Sequence, residues 1–310
     1  MESKEIISKL IANIEKVIIG KREAVELCLA TLISRGHILI EDVPGLGKTM
    51  LARAIALSIN ADFKRLQFTP DILPSDITGV SIYNQKTQEF EPRPGPIFAN
   101  IVLADEINRT TPRTQSGLLE CMQEGKVTID GVSYPLPVPF FVIATENPIE
   151  FQGTYPLPEA QMDRFLMCIS IGYPSAEEEN MIVQRQVKNH PIENMKSVVD
   201  LDQIKLLQEK VTTVHISPEI MSFITTIVRA TRMHPEILLG ASPRGSLALM
   251  QASRAIALID GRDFVIPDDV KKMAFFTLGH RIVLKTEAQV EGVTKQKVIT
   301  EVLRSVAVPL

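Results

Sequence analysis

The chain opens on apolar residues at Ile6, Ile7, Leu10, Ile11, Ile14, Val17 and Ile18, spaced by threes and fours as one face of a helix requires. Gly20 ends that pattern, and a second helix is predicted over 22–34. The short apolar run 37–41 suits a buried parallel strand, and a glycine-rich turn leads from it into a helix over 48–59. Alternation over 63–68 and apolar runs over 100–104, 140–144 and 165–171 predict further strands, with a helix over 112–123 among them. Residues 126–134 read as a hairpin about the turn Asp130-Gly131. Strands alternating with helices imply an α/β fold, a mostly parallel sheet covered by helices.

Past Tyr173-Pro174 the pattern changes. Ser175 is placed to cap a helix, with Glu177, Glu178 and Glu179 in its first turns. From there helical spacing dominates, over 175–187, 200–210, 218–233, 243–259, 267–278 and 295–305. The expected organisation is an α/β domain over 1–188 and an all-α domain over 189–310, joined near Lys188-Asn189-His190-Pro191.

Composition narrows the classes. The 310 residues are 45% hydrophobic and 23% charged, which excludes disordered, collagen-like and coiled-coil chains. The net charge of -4, with neither half strongly basic, argues against a nucleic-acid binder. Cys28, Cys121 and Cys168 are too far apart for a CxxC metal site and suit a reducing compartment. The first residues mix acids and bases, and no run approaches a membrane span, so a cytoplasmic protein without a targeting segment is expected.

The strongest chemical signal is Val43-Pro44-Gly45-Leu46-Gly47-Lys48-Thr49, set between a strand and a helix. Such a loop presents backbone N–H groups and a helix N-terminus to phosphate, Lys48 reaches the terminal phosphates, and Thr49 is a Mg²⁺ ligand. Asp42 stands where the strict GxxxxGK[ST] pattern has glycine. Some 55 residues later an apolar strand ends in Asp105-Glu106. Carboxylates at the carboxyl end of a strand in an α/β sheet suit a metal site (Asp105) and a base that activates water (Glu106).

VPGLGKT followed by LADEIN resembles the AAA+ ATPases. The longer stretches LADEINRTTPRTQSGLLECMQEGKVTIDG, VIATENPIEFQGTYPLPEAQMDRF and GASPRGSLALMQASRAIALIDGRDFVIPDDV are similar to the MoxR family in particular. The resemblance implies an ATPase with ATP and Mg²⁺ as its ligands and a helical lid after the nucleotide-binding domain. It assigns Lys48 and Thr49 to phosphate and Mg²⁺, Asp105 to the metal, Glu106 to the catalytic base and Asn147 to the sensor of the attacking water. Arg164 matches the finger that acts on a neighbouring subunit's nucleotide, and Arg244 the second sensor that links the lid to the γ-phosphate. Pro44, Gly45, Leu46, Gly47 and Met50 complete the loop, while Ile18, Ile19 and Gly20 match the wall of the adenine pocket, with Lys21 where glutamine is usual. Residues 75–95 and the hairpin 126–139 match inserts suited to partner contacts, and Arg109 and Arg113 are further arginines able to face a neighbour.

A finger acting in trans implies a ring, expected as a hexamer. The family further implies chaperone-like remodelling or maturation of partner proteins, among them von Willebrand A domain proteins, with no nucleic acid. Two alternatives stay open from the sequence: a nucleic-acid-associated AAA+ motor, and a slow nucleotide-gated scaffold.

Overall fold

The computed structural model describes residues 2–148, 153–186 and 190–309. Parts of two sequence expectations, residues 149–152 of the second MoxR-like stretch and 187–189 at the expected domain junction, lie outside them. The first domain runs α1 (Glu2–Ile14), α2 (Arg22–Ile33), β1 (Ile38–Glu41), α3 (Lys48–Ser58), β2 (Phe63–Gln67), α4 (Pro74–Thr78), β3 (Gly79–Asn84), β4 (Glu89–Pro94), β5 (Ile101–Asp105), α5 (Pro112–Glu124), β6 (Lys126–Ile129), β7 (Val132–Pro135), β8 (Phe141–Glu146), α6 (Glu159–Met162), β9 (Met167–Ile169) and α7 (Ala176–Gln186). The part expected to form the lid runs α8 (Leu201–Thr213), α9 (Pro218–Thr231), β10 (Ile237–Leu239), α10 (Pro243–Ile259), α11 (Pro267–Leu278), β11 (Val283–Leu284), α12 (Thr286–Val290) and α13 (Lys295–Ser305).

Five strands form one parallel sheet in the order β2-β5-β8-β1-β9. Its residues alternate between two cores. Ile38, Ile40, Ile101, Leu103, Phe141 and Ile143 join a core with α1, α2, α3 and the lid helices, while Leu39, Val102, Ala104, Val142 and Ala144 join a second core with α5 and the β6–β7 hairpin. Both faces are covered, which is why these strands read as continuous apolar runs.

Three expectations change. The strand expected over 165–171 ends at Ile169, because the amide of Ile171 leaves the ladder and donates to Asp42 Oδ2 at 2.5 Å. The insert at 75–95 holds an antiparallel hairpin, β3–β4, that no alternation announced, since β4 is exposed along its whole length and carries Pro92 and Pro94. Its feet cross so closely that a Cβ on Gly79 would lie 2.2 Å from the Arg93 carbonyl, and Gly79 itself has φ 95°. The lid is helical, with one addition, the two-stranded ribbon of β10 and β11.

Candidate active site

The phosphate loop leaves β1 and enters α3, whose N-cap is Gly47 at φ 85°. Gly45 has φ 88°, and the space that a Cβ on either glycine would fill is empty to 4 Å. This is a cradle lined by backbone, as phosphate oxygens require. Lys48 is buried at the start of α3, and its Nζ donates to the Asp42 carbonyl at 2.5 Å. Burial lowers its pKa, opposed by the charges of Asp42, Asp105 and Glu106.

Asp42, the departure from the glycine pattern, has a local role. Its Oδ2 accepts from Ile171 N (2.5 Å), Gly172 N (2.9 Å) and Ser170 Oγ (3.1 Å). One carboxylate thus ties the start of the phosphate loop to the exit of β9, two strands that are neighbours in the sheet.

Across the cavity, Asp105 ends β5 and Glu106 follows at φ 57°, a left-handed conformation that strains a residue with a side chain. Thr145 of β8 holds both: its Oγ donates to Asp105 Oδ1 at 2.6 Å and accepts from Glu106 N at 2.8 Å. On the other side, Arg65 and Gln67 of β2 lie two residues apart, on one face of the strand. Arg65 donates to Asp105 Oδ2 through Nε (3.0 Å) and Nη2 (2.7 Å), and Gln67 Nε2 donates to Glu106 Oε2 at 2.9 Å. Arg109, one of the arginines able to face a neighbour, donates within its own chain to Glu106 Oε2 at 2.9 Å.

A cavity of about 340 Å³ brings together Pro44, Gly45, Gly47, Lys48, Thr49, Met50, Asp105, Glu106 and Asn147, and adds Arg65. That is the size of a small-ligand site, roughly 300–1,000 Å³. Leu46 does not line it. Ile18 and Ile19 are buried, and the Glu178 side chain lies against Gly20, where a Cβ would meet its carboxylate. Gly20 of the expected adenine wall therefore lies against α7, and the two segments are further tied by Lys21 Nζ on Tyr173 O (2.8 Å) and Arg185 Nη1 on Lys16 O (2.9 Å).

Arg164 and Arg244 lie elsewhere. Both line a second cavity, of about 400 Å³, with His37, Asp163 and Arg281. His37 precedes β1 and the phosphate loop follows it, so about 13 Å of strand separates the two cavities along β1. Within one chain Arg244 thus lines a different cavity from the phosphate loop. The residues that precede the two arginines are instead tied together. Asp163 accepts from Ser242 Oγ (2.8 Å) and from Arg281 Nε (2.7 Å), and Ser242 caps α10 by accepting from Arg244 N at 3.1 Å. Arg164 Nε is buried without a hydrogen-bond partner among the described residues.

Thr145, Arg65, Gln67 and Asp42 are the site residues that sequence reasoning missed. Of these, Asp42 had a signal, as the residue standing where the phosphate-loop pattern has glycine, whereas Arg65 and Gln67 showed only the alternation of a strand.

A parallel sheet with a phosphate loop after one strand and paired carboxylates at the end of another is the site of a P-loop nucleotide hydrolase, and the comparisons narrow the class to the AAA+ ATPases. A profile described as "ATPase family associated with various cellular activities (AAA)" matches residues 37–167, and one described as "AAA lid domain" matches 229–302. The chain is 42% identical over 312 residues to Chaperone MoxR1 of Mycobacterium tuberculosis, covering 98% of this chain and 82% of that protein. It is 55% identical over 305 residues to protein YeaC of Bacillus subtilis, covering 98% and 95%. A crystal structure of a Cytophaga hutchinsonii protein superposes with a TM-score of 0.93 at 39% identity, over 100% of this chain and 96% of that one. The chain belongs to the MoxR family of AAA+ ATPases.

Proposed function

We propose that the chain hydrolyses ATP with Mg²⁺ inside a hexameric ring and uses that cycle to remodel or mature client proteins in the cytoplasm. The nucleotide-binding unit is taken as 1–188 and the lid as 189–310. The loop amides and Lys48 bind the phosphates, Glu106 takes a proton from the attacking water, and Asn147 orients that water. Thr49 and Asp105 would hold Mg²⁺. They are hard oxygen donors, and a cation, the Arg65 guanidinium, already rests on Asp105 Oδ2. When bound, the metal supplies neutralisation of phosphate charge.

The observation that carries the ring is the separation of the two cavities. Arg164 and Arg244 share one cavity, and Lys48, Asp105, Glu106 and Asn147 share the other, at the opposite end of β1. Both arginines then serve a neighbour's phosphates, where a cation stabilises charge on the transferring group. A relative named a chaperone supports protein clients, and the family resemblance suggests von Willebrand A domain proteins among them.

Mixing subunits tests this reading. Arg164→Ala and Lys48→Ala chains should each hydrolyse ATP poorly, and a mixture should recover activity, because one supplies arginines and the other a phosphate loop. Absence of recovery in mixed assemblies removes action in trans. Glu106→Gln should keep ATP bound without turnover and so trap clients for capture. Normal turnover by that variant removes the base assignment.

A further inference from the structure

Asp105 has two oxygens. Oδ1 is fixed from within by Thr145, whose side chain is fully buried. Oδ2 is the oxygen left to face the cavity, and two nitrogens of Arg65 converge on it at 3.0 and 2.7 Å. Arg65 is kept in register by the pairing of β2 with β5, which sets Gln67 opposite Asp105, and by its own Nη2 on Gln67 Oε1 at 2.5 Å. The Asp105 side chain is 11% exposed and that of Arg65 48%, so the carboxylate is built in while the cation is free to leave.

We propose that Arg65 competes with Mg²⁺ for Asp105 and thereby sets how strongly nucleotide binding depends on the metal. The inference rests on the assignment of Asp105 to the metal, made above. Two cations on one carboxylate oxygen repel, so the Arg65 pair and the metal exclude each other. Before the metal arrives, Arg65 neutralises Asp105 and lowers the repulsion that the carboxylate exerts on a triphosphate. Once the metal arrives, the pair must break, and the metal binds more weakly by the cost of breaking it. Competition is reciprocal, so Arg65 favours metal-free nucleotide and disfavours the metal-bound complex. Arg65 is in these terms a positioning residue: it acts on the metal through Asp105.

The test is the affinity of the full-length chain for a fluorescent, non-hydrolysable ATP analogue, titrated in EDTA and in excess Mg²⁺. The ratio of the two dissociation constants measures metal dependence. Arg65→Gln should raise that ratio about fivefold, the scale of a half-exposed ion pair, by weakening binding in EDTA and lowering the Mg²⁺ needed for half-saturation. Arg65→Lys, which keeps the charge but not the paired donors, should fall between. Asp105→Asn should lower the ratio, and in that background Arg65→Gln should change nothing further. If Asp105→Asn lowers the ratio but Arg65→Gln and Arg65→Lys leave it unchanged or reduce it, the competition is overturned and the metal assignment stands. If Asp105→Asn leaves the ratio unchanged, the assignment of Asp105 fails and the competition fails with it.

Discussion

Asp163 is the joint between the first domain and the lid, and Asp163→Ala isolates its contribution. The wild-type carboxylate faces Arg281, whose side chain is 3% exposed against 16% for Asp163. Burial lowers the Arg281 pKa, and Asp163 is the main opposing charge. Removing one partner of a buried pair costs about 3–5 kcal/mol, because the other charge stays buried without compensation. Arg281 keeps hydrogen bonds to the carbonyls of Phe165, Leu166 and Thr277, so the lower end, about 3 kcal/mol, is expected. With a urea slope of about 3 kcal/mol per molar, the unfolding midpoint should fall by about 1 M. Asp163→Asn keeps an acceptor for Arg281 Nε but loses the charge, and should cost about half as much. Adding Arg281→Met to Asp163→Ala should recover part of the loss, since it removes the stranded cation. A midpoint for Asp163→Ala within about 0.3 M of wild type, in an assay with that slope, would refute the account of the joint.

Two further outcomes follow from the site. Thr145→Val keeps the shape of the side chain but strands Glu106 N and Asp105 Oδ1; it should cost about 1–3 kcal/mol in stability and lower kcat more than it changes KM, as steady-state ATPase kinetics and urea melts will show. Burial, reinforced by neighbouring Glu41 and opposed by Lys295, pushes the Glu146 carboxyl up to about 7. Its folded pKa is raised, so its stabilising contribution is complete below about 4.5 and is lost as pH rises through 7. Glu146→Gln, neutral at every pH, should therefore gain on wild type by on the order of 1–3 kcal/mol at pH 8 and show no gain near pH 4.5, read from urea midpoints at the two pH values.

Much of the fold was legible because local chemistry set it. Helices α10, α11 and α13 begin and end where the sequence predicts, each start marked by Pro243, Pro267 or the cap Thr294. The phosphate loop and the carboxylates after β5 were legible because their spacing is itself the mechanism. What stayed hidden depends on contacts between distant residues. Arg65 reads as one exposed residue on an edge strand until β2 pairs with β5 and brings it to Asp105. The β3–β4 hairpin buries neither face fully, so it leaves no hydrophobic rhythm to read. The position of Arg244 is set by where the lid docks, and the bond from Ser242 Oγ to Asp163 that helps fix it joins residues 79 apart in the chain.

One core runs from the sheet through α1, α2 and α3 into α8, α9, α10, α11 and α13 of the lid. The lid therefore has no apolar seam along which to hinge, and opening it would bare residues such as Val25, Leu32, Leu249 and Ala252 to water. The phosphate loop and the cavity of Arg164 and Arg244 are thereby held at fixed separation, at opposite ends of β1. In the ring proposed above, work done on nucleotide would then leave as rotation of whole subunits against their neighbours, and the seam between chains would be the moving part.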